Sequence, residues 1–136
     1  MLNNKNILIT GIGKGIGKRL FLDATEAGGI VYGICKKKND LADLSAFKSR
    51  IFIGDVTNKN FINKTFNFFK KKKIKLHGLV NNAGIRQRIR FEKIKKKEIE
   101  NVMNVNFFSI FFIIQEFLKL IDKKENASII NLSSIV

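Results

Sequence analysis

Residues 6–17 read NILITGIGKGIG, an apolar-rich run that breaks into four glycines within the seven residues Gly11 to Gly17. A chain can turn that sharply after a strand only where the backbone carries little or no Cβ. A helical pattern follows, with Ile16, Leu20 and Ala24 spaced by four. The expectation is strand, glycine turn, helix. Such a turn sets free N–H groups and the positive end of a helix dipole beside the strand end, which suits a pyrophosphate. The lesser alternative is a tight strand–helix turn with no ligand. The nucleotide-triphosphate loop is excluded, because Lys14 is followed by Gly15 and no Gly-Lys-Ser/Thr occurs at the required spacing.

The rest of the chain repeats the alternation. Gly28-Gly29 stop the first helix, and Ile30 to Cys35 (IVYGIC) form a second strand. Asn39 or Asp40 caps a short helix carrying Leu41, Leu44 and Phe47. Ile51 to Ile53 make a third strand. Thr57 or Asn58 opens a helix with Phe61, Ile62, Thr65, Phe66 and Phe69 near one face, and the lysines at 70–73 suit its C-terminal end. Leu76 to Val80 is a fourth strand. A polar loop covers 85–95, and a long helix runs from Lys97 to Leu120 on Ile99, Val102, Met103, Asn106, Phe107 and Ile110. Ala127 to Leu132 is a fifth strand. Short, nearly continuous apolar strands alternating with helices predict an α/β fold with a mostly parallel, doubly wound sheet covered on both faces.

With 136 residues, 45% of them apolar, the chain supports one domain and too little for two ordinary ones. Its one cysteine rules out an internal disulfide and with it a stapled secreted fold. No cysteine or histidine cluster exists, so no metal site is expected. The net charge of +15 invites a nucleic-acid or anionic-membrane reading. However, the chain holds 21 Lys, 21 Ile and 15 Asn and no Pro, a general skew, and its basic residues are scattered over several segments. No specific nucleic-acid role is expected. Phe107 to Ile114, the longest apolar stretch, is far short of the roughly 20 residues of a bilayer span. With no signal-like segment at the start, the expected location is the cytoplasm and no membrane partner is expected.

The end of the second strand bears on which dinucleotide the glycine turn would take. A carboxylate there accepts from both ribose hydroxyls and favours NAD. This chain has Cys35 and then Lys36-Lys37-Lys38. A lysine there pairs with a 2′-phosphate, so NADP is expected over NAD, and Lys14 in the loop points the same way. The general lysine excess weakens this inference. Asp55, after the third strand, is a candidate acceptor for the adenine amino group or an ordinary helix cap.

Taken in order, these residues resemble the short-chain dehydrogenase/reductase family, whose pattern they match over essentially the whole chain. Thr10-Gly11-Ile12-Gly13-Lys14-Gly15-Ile16-Gly17 is similar to its TGxxxGIG loop, Asp55-Val56 to its adenine-contacting pair, and Asn81-Asn82-Ala83-Gly84 to its NNAG motif. Asn106 stands at its active-site asparagine, and Ser134 of Asn131-Leu132-Ser133-Ser134 at its catalytic serine. The resemblance implies a Rossmann-type domain over 1–136 that binds dinucleotide through Gly11, Lys14, Gly15, Ile16, Gly17, Lys36, Asp55, Val56, Asn82, Ala83 and Gly84. It implies hydride transfer between NADPH and a carbonyl compound. In general character it lies nearest the 3-oxoacyl-acyl-carrier-protein reductases and the sugar or polyol reductases. Homo-oligomers are implied too, because in relatives the long helix packs in a subunit interface.

The family's acid/base tyrosine, with a lysine one helical turn later, stands beyond the serine, and neither is present here. The only tyrosine is Tyr32, in the second strand. Five of the usual seven strands are expected, a domain truncated before the last two. The full-length enzyme is then a reductase and this chain is inactive. The alternatives are a dinucleotide-binding module without catalysis and a non-functional gene fragment. Arg86 and Arg88, after the NNAG turn, are candidates to meet an acidic or carrier-linked substrate or are solvated loop residues.

Overall fold

A computed structural model describes residues 2–133. Its five strands are β1 (Asn6–Thr10), β2 (Ile30–Cys35), β3 (Ile51–Ile53), β4 (Gly78–Asn81) and β5 (Ser128–Asn131). They form one parallel sheet in the order β3-β2-β1-β4-β5. The chain winds outward from β1 through β2 to β3, then returns to the other side of β1 for β4 and β5. The order reverses between β1 and β4, and in open α/β sheets ligands bind beyond the strand ends at such a reversal.

The helices divide between the two faces. Leu8 of β1 and Tyr32 and Ile34 of β2 pack with Ile62, Phe66 and Phe69 of α2 (Lys59–Lys71) and with Ile113 and Phe117. Ile7 and Ile9 point the other way and pack with Phe21 of α1 (Gly15–Glu26), Val31 and Leu44. Period-two alternation along each strand therefore feeds both cores, giving the doubly wound arrangement that the sequence implies. Phe21, Phe66, Phe69 and Phe117 are fully buried, each contributing about 1.5–3 kcal/mol of transfer free energy. Helix α2 begins where expected: the Asn58 side chain accepts from the Phe61 N–H at 3.0 Å, and Lys70 and Lys71 occupy its last turn.

Two elements differ from the sequence reading. Residues Lys38–Arg50 form a run of 3₁₀ turns, interrupted at Leu44 and Phe47, in place of one short α-helix. Leu41, Leu44 and Phe47 recur every three residues, which fits the threefold 3₁₀ turn better than the α-helix. The caps expected from Asn39 or Asp40 fall on side chains outside those described.

The long helix Lys96–Leu118 comprises α3 (Lys96–Met103), a π-helical turn (Asn104–Phe108) and α4 (Ser109–Leu118). Its 23 residues are long and apolar enough for a membrane span, yet Val105, Ser109, Ile113 and Phe117 are buried within the fold. Of the six residues on which the sequence builds this helix, Ile99, Met103 and Phe107 face outward at 53%, 42% and 57% exposure, Asn106 is exposed too, and Val102 and Ile110 are half-buried. A helix that is apolar on nearly every side does not reveal by periodicity which side meets the sheet.

Candidate cofactor-binding site

The site is assembled where β1 and β4 end. Gly11 leaves β1 with φ +73°, a left-handed conformation that favours glycine. The N–H groups of Gly11 and Ile12 both donate to the Ile34 carbonyl, at 2.8 and 3.1 Å, fixing the turn to β2. The loop then reaches α1 through Lys14, the residue that precedes the helix, which is extended and provides no side-chain cap. The first N–H groups of α1 thus lack the usual side-chain acceptor.

Asn82 joins this turn to β4. Its Nδ2 donates to the carbonyls of Thr10 and Gly11, both at 3.0 Å. In return the Thr10 Oγ1 accepts from the backbone N–H groups of Asn82 and Ala83, at 3.1 and 3.0 Å. Gly17 of α1 packs into the same knot, where a Cβ would run into Asn82 Nδ2 and the Gly11 oxygen. The glycines at 11 and 17 therefore allow the strand end, helix and NNAG turn to approach closely.

A cleft of about 460 Å³ opens above this knot, with Gly11, Lys14, Lys36, Asn82, Ala83 and Gly84 among its lining residues. Val56 also reaches it. Gly15 and Gly17 support the turn from α1 rather than lining the cleft, and the Ile16 side chain points to solvent at 64% exposure. Asp55 stands behind the rim, where its Oδ2 meets Lys36 Nζ at 2.7 Å and its Oδ1 accepts from the Thr57 N–H and hydroxyl at 2.9 and 2.7 Å. Partial burial pushes the Asp55 carboxyl up, but the bonds from Lys36 and Thr57 together outweigh it and hold the group below its ordinary range.

Asn106 approaches from the π-helical turn. Its Oδ1 accepts from the Ile85 N–H at 2.9 Å and its Nδ2 donates to the Ile85 carbonyl at 2.7 Å. This fixes the backbone as it leaves Gly84, at the edge of the cleft. Gly11, Lys14, Lys36, Val56, Asn82, Ala83 and Gly84 thus share one cleft at the sheet's reversal point, while Gly15, Ile16, Gly17, Asp55 and Asn106 stand outside its lining.

The family model described as short chain dehydrogenase matches residues 5–136. The chain belongs to the short-chain dehydrogenase family. It is 32% identical over 129 residues to a 3-ketodihydrosphingosine reductase of Bacteroides thetaiotaomicron, covering 95% of this chain and 46% of that protein. It is 30% identical over 141 aligned positions to a 3-oxoacyl-[acyl-carrier-protein] reductase of Thermotoga maritima, covering 99% of this chain and 57% of that one. A crystal structure of a short-chain dehydrogenase from Streptomyces avermitilis superposes with a TM-score of 0.85 at 27% identity, over 97% of this chain and 50% of the other. The chain spans about half the length of the curated relatives it matches.

Within this short-chain dehydrogenase chain, Ser134 lies outside the described residues. Tyr32 is buried on the sheet face opposite α1, its ring 4.9 Å from that of Phe69. Burial pushes its phenol up, against the opposing charge of Arg50. Two contributors escaped the sequence reading. Thr10 stands in the sequence only as the first residue of the glycine motif, and its partners, the Asn82 and Ala83 N–H groups, reach it only through the pairing of β1 with β4. Asn81 is 1% exposed and donates to Asn131 Oδ1 at 2.8 Å, tying the ends of β4 and β5 together. Its own Oδ1 has no partner among the described residues.

Proposed function

We propose that residues 1–136 form the dinucleotide-binding domain of an NADP(H)-dependent reductase that acts on a carbonyl compound. The observation that carries this reading is the Gly11–Gly17 turn, which Asn82 locks onto the end of β4 at the sheet's reversal point. The residues fit a dinucleotide: the turn sets Gly11, Gly13 and Lys14 in the wall of the cleft, and the start of α1 offers N–H groups with no side-chain cap. Gly11 to Gly17 hold the pyrophosphate in this reading. Lys14 and Lys36 meet the adenosine 2′-phosphate, and Asp55 and Val56 meet the adenine. Asn82, Ala83 and Gly84 bound the cleft on the β4 side. Asn106 fixes the backbone at Ile85, and Ser134 orients the substrate oxygen. A nicotinamide dinucleotide held there supplies the hydride.

The proton is a separate requirement, because a carbonyl that gains hydride must also gain a proton. Tyr32 does not meet it, being buried in β2 with its phenol pushed up. We therefore propose that these 136 residues bind cofactor without turning substrate over. A 3-oxo carbonyl on an acyl chain is the favoured substrate class for the whole protein, since the two relatives described above are named as reductases of 3-keto and 3-oxo compounds. A sugar or polyol ketone is second. We also place the protein in the cytoplasm as a homo-oligomer, the latter because the outer row of the long helix is apolar and exposed.

The test is a fluorescence titration of the purified chain with NADPH, followed by an NADPH oxidation assay with a 3-oxoacyl thioester. Saturable binding without oxidation is the expected pair of results. Absence of binding at millimolar NADPH overturns the cofactor reading. Oxidation that disappears in Ser134→Ala overturns the claim that the chain binds without turnover.

A further inference from the structure

Strands β2 and β3 are paired in register, Cys35 against Ile53. The next residues along each strand, Lys36 and then Gly54 and Asp55, therefore emerge side by side, with Lys36 and Gly54 lining the cleft and Asp55 behind its rim. Lys36 Nζ and Asp55 Oδ2 meet at 2.7 Å there. Asp55 is held for this contact, because its other oxygen is engaged by the Thr57 N–H and hydroxyl at 2.9 and 2.7 Å. Lys14 and Lys37 line the same cleft, and neither has a carboxylate partner among the described residues. Of the three lysines that line the cleft, Lys36 is thus already paired by the protein itself.

We propose that Asp55 sets the preference between the phosphorylated and unphosphorylated dinucleotide by competing with the 2′-phosphate for Lys36. This rests on the cofactor reading above. A ribose without the phosphate leaves the Lys36–Asp55 pair undisturbed. A ribose carrying it must share Lys36 with Asp55 or draw it away, and so gains less from Lys36 than from an unpaired lysine. Lys36 is 68% exposed and Asp55 32% exposed, so the competition is modest and screened by salt. Asp55 then has two opposing effects. Any adenine contact it makes is common to both dinucleotides, whereas its hold on Lys36 weakens only the phosphorylated one. The ratio of the two affinities therefore isolates the second effect.

The experiment measures dissociation constants for NADPH and NADH by fluorescence at low salt, in the unmodified chain, Asp55→Asn, Lys36→Gln and the double variant. Asparagine keeps an oxygen for the Thr57 turn, so the local fold is preserved. The expected result is that D55N raises the preference for NADPH over NADH about two- to fivefold, that K36Q lowers it, and that D55N has no effect on the ratio in the K36Q background. A ratio unchanged by D55N overturns the proposal. A rise of the same size with and without Lys36 also overturns it, since Asp55 would then act by direct repulsion of the phosphate. Failure of the unmodified chain to bind either dinucleotide instead overturns the cofactor reading on which the proposal rests. A second readout needs no ligand: in carbon-detected NMR the Asp55 carboxyl of K36Q titrates at higher pH than in the unmodified chain. An identical titration shows that the pair does not form in solution.

Discussion

The side-chain amide of Asn106 closes on the backbone of Ile85 with two hydrogen bonds, accepting from its N–H at 2.9 Å and donating to its carbonyl at 2.7 Å. The contact joins the π-helical turn to the segment leaving the cleft, across a sequence separation of 21. Asn106→Asp keeps an acceptor but loses the donor and sets a carboxylate against a carbonyl. Asn106→Ala loses both bonds. Because the site is exposed and water can replace the amide, the stability loss for alanine is about 1 kcal/mol. The larger effect is local: hydrogen exchange at the Ile85 amide accelerates about tenfold or more relative to the β1 amides. Unchanged exchange at Ile85 in N106A contradicts the clamp.

Gly17 tests the close approach beneath the cleft. A methyl group there runs into Asn82 Nδ2 and the Gly11 carbonyl, so Gly17→Ala must push α1 off the NNAG turn. The expected loss is about 2–3 kcal/mol, in the range of overpacked cores, together with weakened NADPH binding. Gly15→Ala is the control. Nothing stands within 4 Å of a Cβ there, although φ is +56°, so its cost is only that of a left-handed alanine, about 1 kcal/mol. Thermal melts of the two variants separate contact from conformation. Equal losses would mean that the approach at Gly17 is not tight.

The glycine turn, the alternation of strands with helices and the start of α2 at Thr57 or Asn58 are legible in the sequence because local chemistry settles each of them, whereas the strand order rests on tertiary pairing. A residue without Cβ, a short continuous apolar run and a side chain that caps its own helix all act over a few positions. The outer face of the long helix was illegible for the opposite reason. Ile99, Met103 and Phe107 repeat as regularly as Val105, Ser109, Ile113 and Phe117, and only tertiary packing selects the second row. Ser109 belongs to the buried row because its hydroxyl donates to the Val105 carbonyl at 2.6 Å, which frees it from needing water. The Lys36–Asp55 pair was hidden likewise. The sequence reading gave each residue a separate ligand role, and their partnership depends on the register of β2 and β3.

The unburied row has a measurable consequence. Phe107 and Phe111 are 57% and 53% exposed and one helical turn apart, with Met103 and Ile99 continuing the row. An apolar stripe of this kind drives association. Sedimentation of the unmodified chain is expected to show dimers or larger species at micromolar concentration. Phe107→Lys with Phe111→Lys shifts it to monomer with little change in melting temperature, since neither ring enters the core. A monomeric unmodified chain removes the stripe as a contact surface.

His77 ties together the beginnings of three strands. Its Nδ1 accepts from the Asn6 N–H at 3.0 Å, and its Nε2 lies 3.1 Å from Glu125, which also meets Lys5 Nζ at 2.6 Å. An imidazole that accepts at Nδ1 carries its proton on Nε2. Nitrogen NMR at neutral pH is therefore expected to show the Nε2–H tautomer. His77→Phe leaves the Asn6 N–H without its acceptor and costs about 1–3 kcal/mol. A ring protonated on Nδ1 instead would contradict this arrangement.

Acid stability follows from Glu116, which joins α4 to α2. Its carboxylate meets Lys119 and, at 3.4 Å, Lys70 of α2. The hydrogen bond from Lys119 holds the Glu116 carboxyl below its ordinary value; partial burial opposes this, and the charges of Lys119 and Lys70 reinforce it. A depressed carboxylate binds fewer protons in the folded state than in the unfolded one. Its contribution is therefore fully present above the unfolded value, about pH 4.3 for glutamate, and is lost as pH falls through the lower folded value. Asp55 acts in the same direction. Glu116→Gln is expected to cost about 1 kcal/mol at pH 7, near the upper end for surface pairs, and almost nothing at pH 2. Urea melts of both proteins at the two pH values test this convergence. A gap that persists at pH 2 would show that Glu116 stabilises the helix pair by packing rather than by charge.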